Sequence, residues 1–165
     1  MRVAVLTVSD GVAAGVREDL SGRVLADGAT AAGHTVIWRG TVADERAGIA
    51  RELQRLCDED VADLVLSTGG TGFAPRDVTP EATLEVLERL SPGVDQALRA
   101  DALSRFPHGM LSRGVSGTRG RTFVVNLPGS PRACAEGLAV LEPVLEHAVS
   151  LLRAVPSEHP LEARQ

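Results

Sequence analysis

Short apolar runs that alternate with helical patterns constrain the fold of this chain more than any other feature. Val3–Val8 and Ala62–Ser67 are almost continuously apolar, as in strands that are buried on both faces. Thr35–Trp38 predicts another strand, which extends at most to Val42. Because helical patterns separate these runs, the chain is predicted to form a largely parallel sheet with helices on both faces.

Helical patterns are predicted over Leu20–Ala32, Asp44–Cys57, Thr79–Leu90 and a long segment that begins at Pro131. Gly33 is expected to end the first helix. Thr79 is expected to cap the third helix with Pro80 in its first turn, and Ser130 is expected to cap the last one. Ser9–Asp19 is predicted to be a loop, and Pro92–Pro107 one or two helical turns with loop.

The C-terminal half departs from the parallel pattern. Met110–Val115 and Thr122–Asn126 are predicted to be strands joined through Gly117–Arg121, and a hairpin there is antiparallel. The 165 residues suit one domain, which we place at residues 1–155, followed by a flexible polar tail at 156–165.

Composition excludes several classes of function. The net charge is −5 and aromatic residues make up only 2%, so binding to nucleic acid or to an anionic membrane is not expected. All 17 basic residues are arginine, which excludes lysine-dependent chemistry. Cys57 and Cys134 lack metal-ligand spacing and are expected to be reduced thiols. The chain shows neither a leader-like segment nor a membrane-length apolar run, and a cytoplasmic location is expected.

The segment Ser67–Thr83, STGGTGFAPRDVTPEAT, is the strongest candidate for a ligand site. Its glycines follow a buried strand and allow backbone N–H groups to surround an anion, although a plain tight turn also favours glycine. A helix N-terminus follows and favours negative charge. We therefore predict that this segment binds a phosphate-bearing ligand.

Two carboxylates are candidates for a magnesium site. Asp77 lies within the same segment, where an Asx-type turn is the alternative role. Asp44 follows the strand that ends near Val42, and its alternative role is to cap the next helix. Loops at the carboxyl ends of parallel strands meet at one edge, so both side chains are expected beside the phosphate site. Magnesium prefers such oxygen ligands together with substrate phosphates.

Further polar residues follow other strands. Asn126 and the turn Pro128–Pro131 predict either a second ligand loop or a capped turn. Arg113 is expected to meet a phosphate or to form a surface ion pair. The four histidines are scattered, so a zinc site is not expected, and no set of residues for covalent catalysis is apparent.

The motifs together resemble the MogA/MoaB family of molybdenum cofactor biosynthesis. They are TVSD, the Asp44-Glu45 pair, TGGTG, PRDVTPEAT, Pro92-Gly93, LSRG and NLPGSP, in one order from Val3 to Arg153. The resemblance implies a three-layer α/β/α fold with a mostly parallel sheet and one antiparallel strand near the C-terminal hairpin. It also implies a homotrimer that adenylylates molybdopterin with Mg-ATP and releases pyrophosphate, before an insertion enzyme adds molybdate.

The resemblance assigns roles to residues of this chain. Asp44 and Asp77 match the catalytic carboxylates and would hold Mg²⁺. The nucleotide would be bound by Thr68, Gly69, Gly70, Thr71, Gly72, Thr79, Pro80 and Glu81. The pterin would be bound by Ser9, Asp10, Ser112, Arg113, Asn126, Pro128, Gly129 and Ser130.

Two departures from the family pattern leave alternatives open. Many relatives have Arg where this chain has Gly11, and many have Pro where it has Ala43. The Gly11 departure, together with the MoaB-like branch of the family, motivates the alternative function, which is a non-catalytic scaffold or regulatory trimer that binds molybdopterin. From the residues alone, another magnesium-dependent nucleotidyl or phosphoryl transferase is a third possibility.

Overall fold

The computed structural model describes residues 1–153, so the predicted tail lies outside the described residues. The strands are β1 (Arg2–Val8), β2 (Thr35–Val42), β3 (Leu64–Thr68), β4 (Arg89–Leu90), β5 (Ser116–Arg119) and β6 (Thr122–Leu127). The helices are α1 (Asp10–Ala13), α2 (Leu20–Ala31), α3 (Arg46–Asp58), α4 (Thr79–Val86), α5 (Pro92–Arg105) and α6 (Pro131–Leu152). A 3₁₀ turn spans Pro107–Leu111.

The six strands form one sheet in the order β2-β1-β3-β6-β5-β4. The first four of these are parallel to one another. Strand β5 is antiparallel to both of its neighbours, β6 and β4. The mostly parallel sheet with one antiparallel strand is thus confirmed.

Two layers of helices cover the sheet because its central strands are apolar on both faces. On one face, α2 and α6 pack over Val5, Leu66 and Val125, with Leu25 and Leu141 at the centre of the core. On the other face, α3 and α4 pack over the alternate side chains of the same strands, which include Leu6, Val65 and Val124. The predicted three-layer architecture is confirmed. Within residues 1–153, no helix is long and apolar enough to span a bilayer.

Several predicted elements are corrected. Met110–Val115 is not a strand, because the chain there forms the 3₁₀ turn and a loop, and the hairpin is β5–β6, with its turn at Gly120. The predicted helix Thr79–Leu90 ends at Val86, and its last residues form the edge strand β4. Pro92–Arg105 is a single helix, and Ser9 caps the short helix α1 inside the predicted loop.

Candidate functional site

The carboxyl ends of the four parallel strands lie together, as the sequence predicts. The N–H of Ser9, after β1, donates to the carbonyl oxygen of Val42 at the end of β2, at 2.9 Å. The N–H of Gly69, after β3, donates to Leu127 O at the end of β6, at 3.2 Å. These hydrogen bonds join the loops that follow the strands, so one edge of the sheet carries the candidate site.

The turn after β3 requires glycine at two successive positions. Gly69 and Gly70 have φ values of +101° and +62°, in the region that L side chains rarely adopt. A Cβ on Gly69 would lie 2.2 Å from the carbonyl oxygen of Val8. The turn therefore lies directly against the end of β1, where a side chain at position 69 has no room.

Asp44 is not the cap of α3, because that helix begins at Arg46 with Glu45 as its N-cap residue. The carboxylate of Asp44 instead accepts a hydrogen bond from the N–H of Asp10 at 2.7 Å, through Oδ2. In return, the N–H of Asp44 donates to Asp10 Oδ1 at 3.0 Å. This reciprocal pair joins the loops after β1 and β2 and fixes the backbone around both carboxylates.

Asp77 closes the loop that follows the glycine turn. Its Oδ2 accepts from Ala74 N at 2.8 Å, and its own N–H donates to Ala74 O at 2.8 Å. A Cβ on Gly72 would lie 2.8 Å from Asp77 Oδ2. The carboxylate thus lies against the glycine loop. It accepts from an N–H three residues earlier and not from one two residues later, so the loop is held by a contact other than the predicted Asx-type turn. Oδ1 receives no hydrogen bond from residues 1–153.

The oxygen atoms around Gly70 are suited to a hard cation or a phosphate. Oδ1 of Asp44 also receives no hydrogen bond from the described residues, and it lies 3.2 Å from the Cβ position of Gly70. The hydroxyl oxygen of Thr79 lies 2.3 Å from that position and is buried without a partner in the described part of the chain. Thr79 is the first residue of α4 and Val78 is the N-cap residue, so Thr79 does not cap the helix.

Arg113 holds the glycine loop in place. Its guanidinium donates to Gly72 O at 2.7 Å, to Asp77 O at 2.5 Å and to the carboxylate of Glu81. Its N–H donates to Thr71 O at 2.9 Å. The ion pair with Arg113 holds the pKa of Glu81 below its usual range. Arg113 therefore joins the segment before β5 to the loop that carries Asp77.

Arg76 extends across the edge to the loop after β1. Its guanidinium makes a forked pair with the carboxylate of Asp10, with both N–O distances at 2.8 Å. These hydrogen bonds, together with the one from Asp44 N, lower the pKa of Asp10. Asp10 therefore remains ionised, and it joins Arg76 to Asp44.

Two cavities adjoin at the glycine turn. The first, here called the α5 cavity, has a volume of about 570 Å³ and lies between the glycine loop, α5 and the N-terminus of α6. Most of the area of its wall is apolar, with contributions from Leu98, Ala102, Phe106, Leu111 and Leu127. This lining suits a flat heterocycle with a few polar groups.

The second cavity, here called the α2 cavity, has a volume of about 460 Å³ and lies between α1, the start of α2 and the glycine turn. Its lining is more polar and includes Thr7, Ser9, Ser21, Arg17 and Asp44. Gly70, Asp77 and Gly129 line both cavities. One extended ligand, or two ligands that react with each other, can therefore meet at Asp77.

The structure brings together most but not all of the predicted site residues. Those that line the α5 cavity are Gly70, Thr71, Gly72, Asp77, Ser112, Asn126, Pro128, Gly129 and Ser130. Those that line the α2 cavity are Ser9, Asp44, Gly69, Gly70, Asp77 and Gly129. Neither lining includes Thr68, Asp10, Thr79, Pro80, Glu81 or Arg113, and the hydroxyl of Thr68 donates to Pro128 O at 2.7 Å.

Asn126 is a structural part of the cavity floor. Its amide nitrogen donates to Ser67 Oγ at 2.8 Å and Thr83 Oγ1 at 3.0 Å, and its amide oxygen accepts from Val115 N at 3.2 Å. The residue is only 3% exposed. These bonds join β3, α4 and the segment before β5 beneath the α5 cavity.

We expect Asn126→Ala to lower the free energy of unfolding by about 2 kcal/mol, because buried partners lose their hydrogen bonds. Urea unfolding at a fixed protein concentration measures this loss. Ser112→Ala is the matched control, since its hydroxyl lines the same cavity and has no hydrogen bond within the described residues. A loss of the same size in both variants would contradict the structural role of Asn126.

Sequence reasoning did not identify the contribution of α5. Asp95, Leu98, Arg99 and Ala102 line the α5 cavity, and their spacing of three and four residues is the signal that was available. Asp95 is buried, accepts from Ser116 Oγ at 2.6 Å, and has its pKa raised by burial. Because Pro92–Pro107 is predicted to be one or two helical turns with loop, the sequence does not indicate that one face of α5 lines the cavity.

The two cysteines lie in the interior of the protein. Both are free and buried, and burial raises the pKa of Cys57 to about 12 and that of Cys134 to about 11. The thiol of Cys134 donates to Pro128 O at 3.0 Å, beside the hydroxyl of Thr68. Its role is to pack beneath the turn before α6.

Comparisons with known proteins agree with one another. A family described as "Probable molybdopterin binding domain" matches residues 4–147. The molybdopterin adenylyltransferase of Helicobacter pylori is 37% identical over 154 residues, which cover 92% of this chain and 88% of that protein. The molybdopterin adenylyltransferase of Escherichia coli K12 is 39% identical over 140 residues, with coverages of 84% and 72%. Among solved structures, the molybdopterin biosynthesis enzyme MoaB from Thermus thermophilus superposes with a TM-score of 0.88 at 43% identity, and the match covers 94% of this chain and 98% of that one.

Proposed function

The chain belongs to the family of probable molybdopterin-binding domains, and we propose that its two adjoining cavities adenylylate molybdopterin with Mg-ATP. Molybdopterin adenylylation, a step of molybdenum cofactor biosynthesis, is the activity of its relatives at 37–39% identity over most of the chain. The meeting of an apolar and a polar cavity at Asp77 is the observation that carries the proposal.

The lining of each cavity indicates which substrate it takes. The largely apolar α5 cavity suits the pterin ring, with Asp95, Ser112 and Ser130 among the polar side chains at its wall. The α2 cavity suits the triphosphate, because its hydroxyl groups and the turn at Gly69 and Gly70 offer donors to phosphate oxygens. Because Ser9 lines the α2 cavity, we propose that it contacts the nucleotide, although the family resemblance assigns it to the pterin.

The reaction requires no nucleophile from the protein. An oxygen of the terminal phosphate of molybdopterin attacks the α-phosphorus of ATP, and the bond from that phosphorus to the bridging oxygen of the β-phosphate breaks. Pyrophosphate leaves with the bonding electron pair, and a phosphoanhydride forms between the pterin phosphate and AMP. The protein accelerates this step by holding both phosphates in line at the junction of the cavities.

The oxygen atoms at the junction fit a magnesium ion. Oδ1 of Asp44 and Oδ1 of Asp77 both lack hydrogen-bond donors within residues 1–153, and each carboxylate is held in place through Oδ2. The orphaned hydroxyl of Thr79 lies beside Gly70. A magnesium ion bound to such carboxylates and to the substrate would neutralise charge on the triphosphate. Without it, the carboxylates would repel the nucleotide.

Purified protein tests the proposal when molybdopterin and Mg-ATP are supplied together. We expect release of one pyrophosphate per molybdopterin consumed, and none when either substrate or magnesium is omitted. Tight molybdopterin binding without magnesium-dependent turnover would instead establish the non-catalytic scaffold or regulatory trimer. Equal turnover with a different phosphate acceptor would indicate another nucleotidyl or phosphoryl transferase.

We propose that the protein works as a homotrimer whose contacts include an apolar groove between α6 and β4. The groove has a volume of about 720 Å³ and is lined in part by Leu90, Val144 and Leu151, which are exposed. Strand β4 is the last strand of the sheet among the described residues, so its outer edge is open to another chain.

The mass in solution tests this assembly. We expect the wild-type protein to have three times the mass of the chain, and Val144→Glu to shift it to the monomer because a charge enters the apolar groove. Leu84→Glu on α4 is the control, since Leu84 is also 47% exposed but does not line the groove. A wild-type protein that is monomeric at micromolar concentration would contradict the trimer.

The setting of the reaction follows from its chemistry. We propose that the protein acts in the cytoplasm, where ATP is supplied and both buried thiols remain reduced. The adenylylated product is an activated phosphoanhydride, which a molybdate-insertion enzyme would consume next.

A further inference from the structure

Acidic side chains dominate the edge of the sheet that carries the junction of the cavities. Asp10 and Asp44 lie after β1 and β2, and Asp77 lies in the loop after β3. A triphosphate adds several more negative charges. A cationic side chain at this edge would therefore favour triphosphate binding in addition to any metal ion.

The two arginines closest to these carboxylates are already engaged. Arg76 uses Nε and Nη2 in its pair with Asp10, with both distances at 2.8 Å. The guanidinium of Arg113 donates hydrogen bonds to two backbone carbonyl groups and to the carboxylate of Glu81. Neither guanidinium can turn toward a phosphate without leaving carbonyl or carboxylate oxygens unpaired.

Arg17 is the cation that remains available. Among the arginines of residues 1–153, three have no side-chain hydrogen bond or ion pair with the described residues: Arg17, Arg51 and Arg121. Of these, only Arg17 lines the α2 cavity, where Ser9, Ser21 and Asp44 also lie. An unpaired guanidinium therefore borders the cavity that contains the glycine turn.

The backbone around α1 holds Arg17 in this position. The N–H of Arg17 donates to Gly11 O at 3.0 Å. The side chain then lies across Gly11, whose Cβ position is 3.4 Å from Cβ of Arg17 and 3.9 Å from its Cζ. Because Gly11 has no side chain, the stem of Arg17 packs directly on the backbone and its guanidinium remains at the cavity.

We propose that Arg17 binds the pyrophosphate portion of the nucleotide, a role that rests on the proposed adenylylation. A guanidinium forms forked hydrogen bonds with phosphate oxygens and cannot lose its proton near neutral pH. The α-phosphorus must lie at the junction formed by Gly70, Asp77 and Gly129, where the pterin phosphate arrives. The β- and γ-phosphates then extend into the α2 cavity, where Arg17 stabilises the charge that develops on the leaving group.

Equilibrium binding of Mg-ATP and of magnesium pyrophosphate to the full chain tests this role. We expect Arg17→Ala to weaken both ligands about tenfold, which is the loss of about 1.4 kcal/mol. Its affinity for molybdopterin should stay within about twofold of the wild type. The variant should fold normally, because the side chain makes no hydrogen bond or ion pair with the described residues.

Arg121→Ala is the matched control, because it removes the same unpaired charge from the exposed turn between β5 and β6. The proposal is overturned if Arg17→Ala binds pyrophosphate as tightly as the wild type, or if the control weakens binding equally. If the Arg17 effect appears but the wild type makes no adenylylated molybdopterin, the assignment of Arg17 as a polyphosphate ligand stands and the proposed function fails.

Discussion

Replacement of either junction carboxylate by its amide is expected to abolish turnover without unfolding the protein. Asp44→Asn and Asp77→Asn each preserve an oxygen that can accept the hydrogen bond now made by Oδ2. Each variant loses the charge that would hold magnesium beside the triphosphate. We expect the rate of pyrophosphate release to fall at least about 100-fold in each variant.

The alanine variants Asp44→Ala and Asp77→Ala are expected to lose turnover to the same extent. Asp27→Asn is the control, since Asp27 is an exposed residue of α2 that lines neither cavity. Steady-state kinetics with Mg-ATP and molybdopterin measure the effect, and circular dichroism checks the fold. Full activity in the variants at both positions would refute the proposed mechanism.

A methyl group on the first glycine of the turn should have the largest effect on stability. In Gly69→Ala the new Cβ would lie 2.2 Å from Val8 O, and the residue would retain a φ of +101°. The end of β1 or the turn must then move, so the hydrogen bond from Gly69 N to Leu127 O is lost as well. We expect a loss of about 3 kcal/mol in the free energy of unfolding.

Gly48→Ala is a control for which we expect the free energy of unfolding to change in the opposite direction. Gly48 lies within α3, and nothing lies within 4 Å of its Cβ position. Alanine there should stabilise the protein by about 0.5 to 1 kcal/mol, because it restricts the unfolded chain and favours the helix. Urea unfolding of both variants at one protein concentration measures the difference, and equal stability of Gly69→Ala and the wild type would show that the turn is not constrained.

The sequence predicted the parallel part of the sheet because the information there is local. Val3–Val8 and Ala62–Ser67 are apolar on both faces, and Ser130, which caps α6, directly precedes the helix that it starts. Since the carboxyl ends of parallel strands must meet, the order of strands and helices was enough to place Asp44 and Asp77 at one edge of the sheet, where both line the α2 cavity.

The errors arose where residues distant in the chain decide the structure. Gly109 of the 3₁₀ turn packs against α5, where its Cβ position lies 2.4 Å from Ala102 C, and Met110 and Leu111 continue this turn instead of starting a strand. Asp44 finds its partner in Asp10, 34 residues away, and not in its own helix. Arg113 is held by Gly72 and Glu81, contacts that no local pattern indicates.

The cavities could not be predicted from local sequence patterns either, because residues that are far apart in the chain line them. The apolar wall of the α5 cavity combines residues of α5, the 3₁₀ turn and the end of β6, such as Leu98, Leu111 and Leu127. Arg17 lies within Ser9–Asp19, which is predicted to be a loop, and no local pattern there indicates a role for its side chain. Its significance depends on the absence of an ionic partner among the described residues, which only the folded chain reveals.

Transfer of a labelled α-phosphoryl group tests the central claim most directly. Purified protein is incubated with molybdopterin, magnesium and ATP that carries the label either at the α-phosphorus or at the γ-phosphorus. The α-label should appear in an adenylylated molybdopterin, and the γ-label should appear only in pyrophosphate. Retention of both labels in ATP while molybdopterin is bound, or transfer of the γ-label to the pterin, would contradict adenylylation at the junction of the two cavities.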